Sequence, residues 1–375
     1  MIFFILISGD PTVFGNLKAC KQTKEAIIKV IEEGNHDGYA PAVGFQNARE
    51  AVADYLSDDN VEYSSEDIIL CSGCSSSLEM CITVLADPQR GQNILIPRPG
   101  FPIYRTLAES IGVKVKYYNL IPEKDWEVDL DHLESLIDHN TAAIVLNNPS
   151  NPCGSVYSES HIRKMLAIAY NYRVPVIADE IYDRIVFPGN KFVSTAALNS
   201  PVPILVCGGL AKRFLVPGWR LGWIAIHDKI GAFDSEVRQG LVRLSQRTIG
   251  SNTLLQGALP DILKNTPQTF FDDLIDTLVE NSKICMNILS KAKGIIPFKP
   301  QGTMYMMVEI ELNKFPEFEN MLQFGQKLIE EESVFCLPGE CFEIPGFMRL
   351  VLTIPQVLME EACWRIVEFC NRHNV

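Results

Sequence analysis

AAIVLNNPSNPCGSVYSESHIRKMLAIAYNYRVPVIADE, residues 142–180, contains a complete structural unit. Its ends, AAIVLN (142–147) and VPVIAD (174–179), are short, continuous apolar runs. Between them a turn-rich loop, NNPSNPCGS, leads into Ser158–Tyr170, where apolar residues recur at helical spacing. Strand, helix and strand in that order form a crossover between neighbouring parallel strands. Because the apolar residues are continuous rather than alternating, the sheet is expected to be covered on both faces.

The same pattern extends in both directions. DIILC (67–71), NILIP (93–97) and VKVKYY (113–118) precede the unit, and PILVCG (203–208) and LGWIAIH (221–227) follow it. Cys74–Leu85 and Ile230–Gln246 are further amphipathic stretches that read as helices. The expected fold is α/β, with a mostly parallel seven-stranded sheet in a large domain. After Thr266-Pro267 the pattern changes. A long helix, about Phe270–Lys293, leads to Gly302–Ile310, a helix near Leu322–Glu332, a strand around Phe347–Thr353 and a final helix, Gln356–Arg372. This reads as a smaller α+β domain. The expected division is a segment 1–16 that joins the small domain, a large domain 17–280 and a small domain 281–375.

Composition narrows the function. The 375 residues are 47% hydrophobic and 21% charged, which is ordinary globular chemistry and enough chain for two domains. Net charge is −13, from 33 basic and 46 acidic residues, and no Lys/Arg cluster forms a face for nucleic acid, so none is expected as a partner. The 11 Cys lack framework spacing, and the C-x-x-C at Cys71 and Cys74 has no second pair for zinc, so free thiols in a reducing compartment are expected. The opening MIFFILISGDP is apolar for only seven residues and lacks a basic region, so it reads as a buried strand. No later segment reaches membrane-spanning length without charge, and a cytoplasmic (or mitochondrial) enzyme without a membrane partner is expected.

Ligands in such sheets sit beyond the carboxyl ends of the strands. Gly73-Cys74-Ser75, Asn151, Asp179 and Lys212 each follow or end a predicted strand there. In CGGLAKRFLVPGWRLGW, Lys212 follows a Gly-Gly turn, and Arg220 comes eight residues later, with Pro217 and Gly218 bending the chain between them. A lysine in a dry pocket forms Schiff bases, and an arginine beside it clamps phosphate. Pyridoxal 5′-phosphate requires both. It also requires a carboxylate beside its pyridine nitrogen, a role open to Asp179, whose alternative is a helix N-cap. Tyr182, three residues on, offers a phenol to the ring oxygen. Asn151, pushed extended by Pro152, offers an amide, or is plain turn chemistry. SGCSSS opens a helix whose amides suit an anion, although it is no nucleotide P-loop. Phe101, in PRPGFPIY, offers a flat face to the ring or belongs to the core. Arg349 stands alone in apolar GFMRLVLT and needs an anion: a substrate carboxylate, or an internal Asp or Glu. No HExxH or G-x-S-x-G appears, so metalloprotease and serine-hydrolase readings have no residues, and no metal site is expected.

Taken together, these residues resemble the fold-type I, pyridoxal 5′-phosphate-dependent aminotransferases. ISGDPTVFGNL, GYAPAVGF, PRPGFPIYRTLAES, NNPSNPCGS, ADEIY, GGLAKRFLVPGWRLGW, GTMYMM and FPEFEN carry the likeness, which runs from Ile7 to His373. The resemblance implies that Lys212 holds the cofactor covalently and that Asp179 pairs with its pyridine nitrogen. Asn151 and Tyr182 would serve the ring oxygen, Phe101 the ring face, and Arg220 with Gly73, Cys74 and Ser75 the phosphate. Arg349, with Asn151 and Gly9, would bind substrate. Tyr39, in GYAP, would reach the phosphate of a neighbouring subunit in a homodimer with shared sites. The implied reaction is transamination between an aromatic L-amino acid, tyrosine foremost, and 2-oxoglutarate, as in tyrosine and phenylalanine breakdown. An alanine or kynurenine aminotransferase, a C–S lyase, or a cofactor-binding protein without turnover would share these residues.

Two departures from the family pattern stand out. Gly209 occupies a position, three before the lysine, where many relatives have a hydroxyl residue, so one phosphate hydrogen bond is expected to be missing or replaced by a backbone amide. The likeness also starts at the first core strand, past the arm that wraps the partner in relatives, and a weaker dimer is expected from this.

Overall fold

The computed structural model describes residues 4–375; residues 1–3 of the expected first strand lie outside the described residues. The strands are β1 (Phe4–Ile5), β2 (Ile68–Cys71), β3 (Asn93–Arg98), β4 (Lys114–Ile121), β5 (Glu127–Val128), β6 (Thr141–Asn147), β7 (Val176–Asp179), β8 (Ile204–Gly209), β9 (Gly222–His227), β10 (Ile295–Pro297), β11 (Tyr305–Ile310), β12 (Val334–Phe335), β13 (Leu337–Pro338) and β14 (Phe347–Val351). The main sheet runs β2-β9-β8-β7-β6-β3-β4-β5. Pairing is parallel from β8 through β7, β6 and β3 to β4. It is antiparallel where β9 inserts between β8 and β2. All seven predicted strands are present. An eighth, β5, is added antiparallel at the β4 edge, and its two residues are too short to show any period.

Register sets the site. Asn147 of β6 is level with Asp179 of β7, and Asp179 is level with Cys207 of β8. The carboxyl ends of three adjacent strands therefore finish in one row, and the loops bearing Asn151, Tyr182 and Lys212 leave from the same edge. The helix Glu159–Tyr172 returns β6 to β7 as the crossover pattern requires, with Ser158 capping it by accepting from the His161 amide.

One predicted helix is corrected. Ile230–Gln246 is helical only from Val237, in Val237–Arg247. The Asp228 carboxylate accepts from the amides of Ile230 and Phe233, and Gly231 has φ +71°, so a side-chain-closed turn replaces the first helical turns.

The smaller sheet, β10-β11-β14-β13, is antiparallel throughout. The helices Gln268–Leu289 and Gln356–His373 pack on one another beside it. The expected boundary at 280 falls inside the first of these helices, which is continuous. β1 pairs in parallel with β12, Phe4 opposite Val334, so the chain start is attached to the region of the smaller sheet. Helices Lys21–Glu33, Gln46–Leu56 and Thr253–Asn265, unread in the sequence, pack together under the loop that carries Tyr39.

Candidate active site

At the carboxyl edge of the main sheet lies a cavity of about 300 Å³. Lys212, Asp179, Tyr182, Asn151, Phe101, Cys74, Ser75, Arg220, Arg349 and Gly9 all line it. Residues spread over more than 300 sequence positions thus meet in one place. Gly73 stands immediately behind, and Tyr39 lies outside the cavity, 86% exposed.

The floor is Asp179, 2% exposed. One carboxylate oxygen accepts from the Tyr104 hydroxyl at 2.6 Å; the other accepts from the Ile181 amide at 3.2 Å and the Cys74 thiol at 3.7 Å. No helix follows Asp179, so the N-cap alternative falls. Burial raises its pKa, making it a weaker acid, and these donors together with the Lys212 charge oppose that rise. No Lys or Arg forms an ion pair with Asp179 among the described residues. A buried carboxylate facing a cavity with so little compensation suits a cationic ring atom.

At the wall, the Lys212 ammonium donates to the Gly9 carbonyl at 2.6 Å. The Tyr182 and Tyr305 hydroxyls meet at 2.8 Å. Phe101 packs edge-to-face on Tyr104, ring centroids 6.0 Å apart.

At the mouth, the helix Cys74–Leu85 begins beside Arg220. The first amides of a helix have no intrahelical acceptor, and with an arginine beside them they form an anion site. Gly73 has φ +87°, and a Cβ there would lie 2.4 Å from an Arg220 nitrogen, so only glycine allows this approach. Gly209 is explained by packing: a Cβ would lie 2.8 Å from the Leu221 carbonyl oxygen across the β8–β9 pair, so the hydroxyl residue of relatives has no room.

At the far end, Arg349 is 4% exposed. Its guanidinium donates to the Asn151 side-chain oxygen at 2.8 Å and the Ile7 carbonyl at 2.8 Å, and lies 4.2 Å over the Tyr305 ring. Nε is buried without a partner. No carboxylate pairs with Arg349 among the described residues, so the internal salt bridge weighed from the sequence is not formed. Burial lowers its basicity. Hydrogen bonds then connect this end to the floor. The Asn151 backbone N–H donates to the Asn147 side-chain oxygen at 2.8 Å, and the Asn147 side-chain nitrogen donates to the Asp179 carbonyl at 3.1 Å.

The family model for aminotransferases of class I and II matches residues 2–366. The chain belongs to that family. It is 54% identical over 365 residues to a tyrosine aminotransferase of Mus musculus, covering 97% of this chain and 80% of that one. A solved tyrosine aminotransferase from Leishmania infantum superposes with TM-score 0.96 at 34% identity, covering 100% of this chain and 93% of that one. An alanine aminotransferase from Pyrococcus furiosus superposes with TM-score 0.94 at 31% identity, covering 99% and 93%.

Aminotransferases of this family use pyridoxal 5′-phosphate, and the cavity fits it: a lysine, an unpaired carboxylate opposite, and an arginine with free helix amides at the mouth. Three polar residues that line this aminotransferase's site, Tyr104, Asn147 and Tyr305, were not read from its sequence. Tyr104 follows Phe101 by one helical turn, a spacing that could have exposed it. Asn147 ends a predicted strand. Tyr305, inside apolar GTMYMM, gives no signal that separates it from core.

Arg349→Ala is expected to raise the apparent KM for amino acid by about 10²-fold or more while kcat falls less, because a buried charge that meets its partner only in the complex is lost. Steady-state kinetics check this, and an unchanged KM would remove Arg349 from substrate binding.

Proposed function

We propose that this aminotransferase transfers the amino group of aromatic L-amino acids, tyrosine foremost, to a 2-oxo acid such as 2-oxoglutarate. The observation that carries the substrate half is Arg349, a buried guanidinium without an acid partner, facing the cavity that also holds Lys212 and Asp179. An α-carboxylate is the anion that completes it. The aromatic preference is supported by the likeness to tyrosine aminotransferases.

Bound pyridoxal 5′-phosphate supplies an electron-withdrawing pyridinium ring that accommodates the electron pair left at the substrate α-carbon. Asp179 keeps that ring nitrogen protonated. Lys212 is the amine that would hold the cofactor, and as a free amine it would move the α-carbon proton. Tyr182 and the Asn151 side-chain nitrogen would be the donors to the cofactor's ring oxygen; the Asn151 side-chain oxygen is already committed to Arg349. Arg220 and the helix start at Cys74 hold the phosphate, and Arg349 holds and orients substrate.

A homodimer completes the reading. Tyr39 is 86% exposed, and Ile249, on the neighbouring loop, is 58% exposed. The two loops pack together, since a Cβ on Gly250 would lie 3.1 Å from the Ala42 carbonyl oxygen. Paired exposed apolar side chains of this kind support a protein contact there, with Tyr39 serving the partner's phosphate site. No helix among the described residues is long and apolar enough to cross a membrane.

The deciding experiment adds L-tyrosine alone to cofactor-loaded protein. The expected result is loss of the yellow absorption together with one equivalent of 4-hydroxyphenylpyruvate per site. A spectrum that tyrosine leaves unchanged, and that another amino acid bleaches, would move the substrate assignment elsewhere.

A further inference from the structure

Tyr305 has no assigned part in the roles above, yet it stands at the centre of the cavity. It is 1% exposed, and its hydroxyl makes one hydrogen bond, 2.8 Å to the hydroxyl of Tyr182. Two phenols carry two protons, and the contact between them uses one. The other O–H remains for the cavity, and which tyrosine keeps it depends on which is the better donor.

The surrounding charges decide that. The Arg349 guanidinium lies 4.2 Å over the Tyr305 ring. A Cβ built on Gly9 would lie 2.8 Å from the Tyr305 hydroxyl and 3.8 Å from the Lys212 ammonium, so both polar groups flank the same glycine. Asp179 is the anionic neighbour of Tyr182. Burial resists ionisation of Tyr305, but Lys212, Arg349 and the hydrogen bond with Tyr182 together outweigh it and hold this phenol below the usual tyrosine range. Burial drives Tyr182 the other way, well above that range. The more acidic phenol donates and the less acidic one accepts.

We infer that Tyr305 is a positioning residue that donates its hydroxyl proton to Tyr182 and so leaves the Tyr182 O–H aimed and polarised toward the ring oxygen of bound cofactor. This rests on the proposed role of Tyr182. Its consequence is electronic. A donor strengthened in this way favours negative charge on the ring oxygen, so the pH-dependent change in the visible band of cofactor-loaded protein falls at lower pH than it otherwise would.

The test is the pH titration of the visible absorption of cofactor-loaded protein. Tyr305→Phe keeps the ring under Arg349 and removes only the hydroxyl. Its titration midpoint is expected to rise by about half a unit to one unit. Gly9→Ala, which pushes a methyl group at the Tyr305 hydroxyl, should shift it in the same direction. In a Tyr182→Phe background, adding Tyr305→Phe should produce no further rise. An unchanged midpoint in Tyr305→Phe overturns the inference, as does a shift that persists in full without Tyr182. A wild-type band with no pH dependence would instead bring down the assignment of Lys212 to the cofactor, so the two failures are distinguishable.

Discussion

Lys212→Ala is expected to lose at least about 10⁴-fold in turnover, because under the proposed function one substitution removes both the hold on the cofactor and the group that moves the α-carbon proton. The side chain has no substitute in the cavity. The next basic residue, Arg213, is buried elsewhere: it donates to the Tyr55 hydroxyl at 2.6 Å and lies 3.9 Å over the Phe271 ring. That anchoring also protects the fold. Lys212 is only part-buried, and its one hydrogen bond is to the Gly9 carbonyl, so the variant should unfold at nearly the wild-type temperature. The measurement is single-turnover conversion of L-tyrosine with cofactor in excess, alongside thermal unfolding. A folded variant within tenfold of wild type would show that Lys212 does neither job.

Asp179→Asn is expected to lower kcat by about 10³-fold with little change in KM, the signature of a group that acts on the cofactor and not on bound substrate. Asparagine fills the same space and still accepts from Tyr104, but it cannot carry the charge that keeps a pyridine nitrogen protonated. Tyr104 holds the carboxylate at 2.6 Å, and the Ile181 amide and Cys74 thiol hold its other oxygen, so the geometry is set by the protein before any ligand arrives. Cofactor affinity should fall only modestly, since in the proposed arrangement the phosphate end would be held separately by Arg220 and the helix start at Cys74. A kcat within a few-fold of wild type would refute the pairing of Asp179 with the ring.

Much of this was legible along the chain, for identifiable reasons. Strands buried on both faces must be apolar throughout, so β2, β3, β6, β7, β8 and β9 stand out without knowledge of their partners, whereas β4 is only partly buried and alternates Lys114 and Lys116 with apolar residues. Lys212 and Arg220 are legible because both lie in one short connection, and Asp179 because it ends a strand. β5 was hidden by its length. Residues 230–236 read as helix because periodicity cannot register a carboxylate, Asp228, that closes a turn on the following amides. The helix Thr253–Asn265 has Pro260 in its interior, which breaks the pattern that a sequence reading follows.

The amino-acid order alone determined the α/β sheet, the row of strand ends and the chemical types gathered there, because burial and the crossover rule act on local apolar pattern. Only the tertiary structure decided what each polar group faces. Arg349 reads equally well as half of a salt bridge until the fold puts it beside Asn151 and Ile7 with no acid paired to it among the described residues. Tyr305 and Tyr104 read as core until the fold brings one to Tyr182 and the other to Asp179, 123 and 75 residues away in sequence. Hydrogen bonds and charge pairs are set by distances of a few ångströms between atoms far apart in the chain, and a linear pattern carries no record of those distances.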